Sequence, residues 1–375
     1  MADAALGSRD ELAAELALAQ VPGIGAARLR TLVAAFGSAG GALHAPRGAI
    51  AALPGFSRAA AGAIHGVSVA AGREILAQLD RLGATVLVAS DPAFPPLLRE
   101  IPDPPPLLYV WGDQALLCRR AAAIVGSRNH TDYGAAAARM LALGVAPHAV
   151  VVSGMARGLD AVAHAAALDG GGTTIGVLGN GFGVIYPAAN RDLYGRMIAH
   201  GCLITELPPG ERPHAGAFLR RNRLISGLAL VTVIVEAAPG SGALITADCA
   251  LDQGRSVLAV PGPITSPTSL GCNRLIQQGA KPALSPADVL EELGVDSTTT
   301  AGLATAVPRN APRDLTQLER AVWNELLFEA RHVDLIVTAV SAALGSPTAD
   351  VLTTLTDLEL RGLVRQRPGM VFGLV

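Results

Sequence analysis

The sequence predicts an α/β protein built on a doubly wound parallel sheet, with a small helical domain before it and a winged-helix-like domain after it. Three observations carry this. From Ala121 onward, uninterrupted Val/Ile/Leu/Ala runs alternate with helix candidates, the pattern of parallel strands covered on both faces. Several of the runs end in Gly- and Ser-rich turns, which suit the carboxyl edge of such a sheet. A Ser/Thr/Ala/Pro-rich stretch then precedes three helix candidates and a short hairpin.

The 375 residues exceed one ordinary core, so two or three domains are expected. The boundaries read as 1–82 for the helical domain, 83–295 for the sheet domain, 296–312 for a linker and 313–375 for the last unit. Hydrophobic residues make up 50% but aromatics only 3%, so the cores must be built from Ala, Leu and Val. A formal net charge of −2 excludes a globally basic nucleic-acid coat and leaves room for a local basic patch. Lys281 is the only lysine, so basic chemistry falls to arginine, which suits bidentate phosphate contacts and also follows from a GC-rich genome. Cys118, Cys202, Cys249 and Cys272 include no C-x-x-C pair, so no zinc site or disulfide framework is expected and a reducing cytoplasm fits. No signal-peptide pattern opens the chain. No apolar run approaches about 18 residues, so no membrane association is expected.

Residues 10–80 read as short helices broken by Pro-Gly. Val21-Pro22-Gly23-Ile24-Gly25 leads into a helix over Ala26–Phe36, and Leu53-Pro54-Gly55-Phe56-Ser57 into one over Arg58–Ile64. The pair resembles helix-hairpin-helix units of small sterile-alpha-motif-like domains, in which a Gly-x-Gly turn aims helix amides at a DNA phosphate. The second copy has Ser57 in place of the second glycine, and helical packing without DNA contact is the alternative.

Thr85–Ala89 is the first strand candidate, and the Pro-rich Pro92–Pro106 excludes regular helix. Further strands are expected at Ala121–Val125, Ala149–Val152, Thr174–Leu178, Leu203–Thr205, Ala229–Val235 and Val257–Val260. Helices are expected at Tyr133–Leu143, Leu159–Leu168, Arg191–Ile198, Phe218–Ser226 and Ile245–Gln253. The last unit offers helices Leu315–Phe328, Asp334–Ala343 and Ala349–Leu360, then strands Leu363–Arg367 and Met370–Leu374 around Pro368-Gly369.

The chemistry sits at the strand ends. Gly126-Ser127-Arg128 offers a close turn, a hydroxyl and a cation that can hold phosphate or stack on a base; an ordinary turn with a surface arginine is the alternative. Ser153-Gly154 repeats the device. Asp160 and His164, four apart on one helix, have the spacing of a metal pair, but no third ligand accompanies them, so a surface or capping pair is expected and no metal. Gly179-Asn180-Gly181-Phe182-Gly183 fails the dinucleotide fingerprint, with Val184 where the third glycine belongs, so it reads as a cleft-lining loop and NAD is not expected. Arg220-Arg221-Asn222-Arg223 is placed at the start of a helix, where like charges are unfavourable unless an anion binds or carboxylates such as Glu206, Glu211 or Asp252 neutralise them. Ser241-Gly242 opens another helix candidate.

With these phrases in order, and with Ser269-Leu270-Gly271-Cys272-Asn273-Arg274-Leu275-Ile276 closing the set, the chain resembles the bacterial DNA-processing protein A family (DprA, also called Smf). The resemblance spans the chain and is most specific from Val86 to Leu290. It implies an extended Rossmann-like central domain that dimerises. It also implies a non-catalytic, cofactor-free protein that binds and protects incoming single-stranded DNA and helps load a RecA-type recombinase during natural transformation. Carried over by position, the DNA-binding residues are Gly126, Ser127, Arg128, Arg220, Arg221, Asn222 and Arg223, with Ser153, Gly154, Ser241 and Gly242 completing the pocket. Two departures bear on individual contacts: Arg220 and Arg221 stand where a lysine is common, and Ala215–Ala217 is smaller than the usual lead-in.

Two competing readings remain. Related phosphoribohydrolases carry P-G-G-x-G-T-x-x-E, whereas Pro239–Thr246 here is followed by no glutamate. A winged-helix regulator would need a basic recognition helix, whereas this one carries Asp350, Asp357 and Glu359. Leu270, Leu275 and Ile276 are expected to form a homodimer patch beside the Val257–Val260 strand, with internal core as the alternative.

Overall fold

Alternation of apolar runs with amphipathic stretches gives a nine-stranded sheet with helices on both faces in the computed structural model, which describes residues 2–295, 315–326 and 330–374. The expected linker, 296–312, lies outside the described residues. The chain divides into two units, residues 1–301 and 302–375.

The first unit opens with α1 (Ala2–Ala19), α2 (Ala26–Phe36), α3 (Ala39–His44), α4 (Arg47–Ala51), α5 (Arg58–His65) and α6 (Val69–Leu82). Leu18, Ile24, Leu32, Ile50 and Ile64 make a local core. Leu16 of α1 and Ile75 and Leu79 of α6 instead share a core with Tyr109, Phe182 and Met197, so the helices pack directly on the sheet.

The strands are β1 (Thr85–Val88), β2 (Leu107–Gly112), β3 (Ala121–Val125), β4 (Val150–Ser153), β5 (Thr174–Val177), β6 (Cys202–Thr205), β7 (Val231–Ile234), β8 (Ser256–Ala259) and β9 (Lys281–Pro282). Their order is β1-β2-β6-β5-β4-β3-β7-β8-β9. Strands β3 to β9 are parallel, and β3 to β7 are buried along their whole length, which explains their unbroken apolar composition. The expected parallel sheet gains an antiparallel edge, because β2 runs against β6 and β1 against β2. Strands β2 and β9 were not expected from the sequence. The former follows the Pro-rich stretch, and the latter is two residues long and contains a proline.

Between the strands lie α7 (Pro96–Arg99), α8 (Asp132–Val145), α9 (Leu159–Asp169), α10 (Arg191–His200), α11 (Ala215–Gly227), α12 (Gly242–Asp252), α13 (Leu270–Gln277) and α14 (Pro286–Glu292). One helical turn, α7, does form within the Pro-rich stretch, with proline at its start where no amide is needed. Helix α11 begins three residues earlier than expected, because the His214 ring accepts the Ala217 amide at 3.2 Å and caps it. The arginine cluster therefore sits in the second turn of α11 rather than at its start. Thr131 caps α8 through the Gly134 amide, 3.1 Å, so that helix starts at Asp132.

The parallel strands run outward in both directions from β3 and β7. That pair is the topological switch point, where the loops leaving two adjacent strands part to opposite faces and open a crevice. Gly126-Ser127-Arg128 leaves β3 there, and the segment leading to Ser241-Gly242 leaves β7.

The second unit holds α15 (Gln317–Glu325), α16 (Val333–Leu344) and α17 (Thr348–Leu360), then β11 (Val364–Arg367) and β12 (Val371–Leu374). A short β10 (Arg331–His332) pairs with the other edge of β12. Val322, Trp323, Ile336, Val351, Leu355 and Phe372 form its core, and the arrangement is a winged helix. The expected end of its first helix, residues 327–328, lies outside the described residues.

Candidate nucleic-acid interface

The switch-point crevice is a cleft of about 490 Å³ lined by Gly126, Ser127, Arg128, Asn129, Asp160, Phe218, Arg221, Asn222, Ser241, Gly242 and their neighbours. Gly126 lies so close to the start of α9 that a Cβ would stand 2.5 Å from the Leu159 side chain. A side chain there would have to push the buried Leu159 aside. The Ser127 hydroxyl is used within its own turn. It accepts from the Asn129 amide at 3.1 Å and donates to the Asn129 carbonyl at 2.7 Å. That turn leaves Arg128 exposed, with its guanidinium 5.5 Å from the Phe218 ring centroid.

Glu236, two residues past β7 and only 1% exposed, anchors the loop from behind. It accepts from the Thr131 amide (2.9 Å) and hydroxyl (2.6 Å) and from the Thr268 hydroxyl (3.1 Å). On the opposite wall Ser241 caps α12 through the Ala243 amide, 3.3 Å. Asn222 reaches across from α11 and donates to the Gly242 carbonyl at 3.2 Å. The start of α12 thus faces Arg128 across the cleft, two positive features with no carboxylate between them other than the internal Asp160.

The Arg220–Arg223 cluster separates into three environments, because one turn of helix points its members apart. Arg221 is 5% exposed and donates to the carbonyls of Gly154 and Val177 beside Asp160. Burial lowers its pKa to about 10, which keeps it charged at neutral pH. Arg223 pairs with Glu206 at 2.7 Å, one of the neutralising carboxylates the sequence offers, and with Asp103 at 3.1 Å, which it did not single out. Burial pushes the Glu206 carboxyl up while Arg223 draws it back. Arg220 is exposed and faces a separate groove lined by Gly23, Gly25 and Arg28 of the first hairpin. The Ser57 hydroxyl of the second hairpin caps its own helix through the Ala60 amide, 3.1 Å.

Ser153 and Gly154 do not offer the donors expected of them. The Ser153 hydroxyl is fully buried and donates to the Ile124 carbonyl at 2.7 Å. The Gly154 amide is taken by Asp160 at 3.1 Å, and Asp160 also accepts the Ala156 amide at 3.4 Å. Asp160 and His164 are not the surface pair expected, since both are buried. The Nδ1–H of His164 donates to the Thr174 hydroxyl (2.7 Å), which itself donates to the Val151 carbonyl, and its Nε2 accepts the Met155 amide (3.4 Å). Burial and Arg221 hold His164 down to about 3, so it is neutral. Burial pushes the Asp160 carboxyl up, opposed chiefly by Arg221. These side chains brace the cleft floor. Phe218 and Asn129 line the cleft and Arg157 donates to Asn129 at 2.7 Å, and sequence reasoning did not assign any of the three to the site.

In the Gly179–Gly183 loop, Asn180 is buried and donates to the carbonyls of Gly181 and Val184. Of the dimer-patch residues, Leu270 is 44% exposed, Ile276 packs partly against the core, and Leu275 belongs to the core at 9% exposure. Leu270 lines a broad depression with Ile264, itself 84% exposed. Among the described residues no group of three His, Cys, Asp or Glu could hold a metal ion, and no single helix is long and apolar enough to cross a membrane.

Comparison with known proteins agrees with this arrangement. Residues 85–294 match the family model of DNA recombination-mediator protein A, and residues 306–370 match the DprA winged helix domain. Protein Smf of Escherichia coli is 38% identical over 299 residues, 78% of each chain. The DNA processing protein DprA of Streptococcus pneumoniae is 43% identical over 202 residues, 54% of this chain and 72% of the relative. The X-ray structure of DNA processing protein A from Streptococcus pneumoniae superposes with a TM-score of 0.67 at 33% identity, covering 75% of this chain and 97% of that one. DNA processing protein A from Helicobacter pylori, whose structure concerns its single-stranded DNA binding mode, gives 0.51 at 30% identity over 56% and 95% of the two chains.

Proposed function

Because the chain belongs to the DNA recombination-mediator protein A family, we propose that it binds single-stranded DNA in the switch-point cleft. On this reading it protects the strand and helps load a RecA-type recombinase during natural transformation, in the cytoplasm and as a homodimer. The observation that carries the reading is Arg128. It stands exposed at the cleft mouth, braced against Phe218 and facing the start of α12. A guanidinium in that position can hold a phosphate while its plane and the Phe218 ring offer stacking faces to a base. The Helicobacter pylori relative's described binding of single strands supports the same reading.

The role is non-catalytic. Asp160 at the cleft and Glu236 behind its loop are bound up with backbone amides, hydroxyls and Arg221, which leaves neither placed to move a substrate proton. Arg128→Ala tests the site. It should weaken single-strand binding and lower the salt slope of affinity by about one contact's worth, with the melting temperature little changed. Unchanged affinity would remove Arg128, and the cleft with it, from the DNA path.

A further inference from the structure

The first helix hairpin, which the cleft leaves unused, opens on a groove of about 700 Å³ between the helical domain and the sheet. One wall is the turn at residues 22–25 with the first turn of α2, where no side chain supplies a cap and Ala27 and Arg28 line the groove. The Arg28 guanidinium donates to the Gly23 carbonyl at 2.9 Å and lies 5.7 Å from the Phe56 ring centroid, contacts that fix its place. The other wall is the face of α11 that carries Arg220 and Arg223. Arg223 is taken by Glu206 and Asp103, the two carboxylates of the groove. Arg220 is exposed and forms no ion pair among the described residues, acting on Glu206 only from a distance. Arg28, Arg220 and Arg223 against Asp103 and Glu206 leave the groove positive in a chain whose net charge is −2.

We propose that this groove carries the same single strand onward from the cleft, with its phosphates held between Arg220 on α11 and Arg28 on the helical domain. The proposal rests on the DNA reading above and brings the helical domain into it. Helix α11 separates the two sites: Phe218, Arg221 and Asn222 face the cleft, and Arg220 and Arg223 the groove. Gly216, Leu219 and Arg220 are exposed along the same stretch of helix, so a linear polyanion can occupy both sides of α11 at once, which a single phosphate cannot. Pro22, Pro102, Pro104, Pro106 and Pro208 supply much of the wall and have no N–H to offer. The arginines are therefore the anchors, and the groove holds backbone without reading base edges. The second hairpin has the same turn, with Gly23 and Gly55 at φ of 82° and 80°, but Ser57 caps its own helix and neither lines the groove.

The test places one carboxylate at the same position of each hairpin helix. Ala27 and Ala59 are the second residues of α2 and α5, and both are exposed. A glutamate in the first turn favours a helix, so neither Ala27→Glu nor Ala59→Glu should lower the melting temperature. Binding is read by anisotropy on the full chain with deoxythymidine strands of about four and about sixteen nucleotides, the span of usual single-strand sites. Ala27→Glu should weaken the longer strand about ten-fold, the worth of two phosphate contacts, and lower its salt slope by about 1.4. The shorter strand, which the cleft alone holds, should bind this variant within a few-fold of wild type. Ala59→Glu should match wild type on both strands, and Arg28→Gln should act on the longer one in the same direction as Ala27→Glu. Wild-type affinity of Ala27→Glu for the longer strand, or an equal loss from Ala59→Glu, would overturn the groove and leave the cleft standing. So would a loss confined to a duplex of matched length. A wild-type protein that binds neither strand would overturn the DNA reading itself and the groove with it.

Discussion

Arg221 separates a brace from a contact. Its guanidinium is 5% exposed, donates to the carbonyls of Gly154 and Val177, and faces the buried Asp160. Arg221→Met keeps most of the side-chain volume and removes the charge. It leaves two carbonyls short of donors and an internal carboxylate without its cation. Breaking a buried pair from one side costs about 3–5 kcal/mol. Arg128→Ala removes an exposed side chain whose contact with Phe218 is worth about 0.5–1 kcal/mol. Adding Asp160→Leu to Arg221→Met should cost less than the two single changes combined, by about 0.5–3 kcal/mol, because the two side chains share one interaction. Urea unfolding followed by tryptophan fluorescence measures this, with Trp111 in β2 reporting on the sheet. A shifted midpoint at constant slope is the expected form. An Arg221→Met protein within about 1 kcal/mol of wild type would refute the brace and return Arg221 to the list of DNA contacts.

Acidification should act through two groups of opposite sign. His164 is held down to about 3 from 6.5, so the unfolded chain binds its proton first, and stability falls by about 1.4 kcal/mol per unit as pH drops below 6.5. Glu15 is pushed up to about 7 from 4.5 by burial and Glu11, so its contribution is fully present below 4.5 and lost as pH rises through 7. Glu15→Gln should therefore stabilise the fold above pH 7 and match wild type below 4.5, which thermal melts across pH check. Leu270→Glu, at an exposed position, should yield folded monomer with weakened DNA binding by light scattering and anisotropy; an unchanged dimer would move the interface elsewhere. Truncation after Val295 should leave DNA affinity within a few-fold of the full chain, because the winged helix presents Asp350, Asp357 and Glu359 where a DNA reader needs cations.

The parallel strands were legible because burial on both faces removes the need for polar alternation, as Ala121–Val125 shows at full burial. The antiparallel edge was not, since a run such as Leu107–Trp111 carries no record of its partner's direction. Gly126-Ser127-Arg128 could be placed at a strand end, but its position at the switch point needed the strand order. The fate of Arg220–Arg223 turned on which faces of α11 the fold covers. With the helix running from Ala215, residues 220 and 223 share one face, and 218, 221, 222 and 225 another. Ser153 and Asp160 have the composition of a binding loop, and only burial reveals that Ser153 donates to the Ile124 carbonyl and Asp160 accepts the Gly154 amide instead of meeting a ligand.

The most direct test of the account is a titration of the full chain with a single strand and a duplex of matched length at two salt concentrations. The account predicts tighter binding of the single strand at both, with affinity falling as salt rises because arginines displace counterions from the backbone. Equal or tighter binding of the duplex would contradict it.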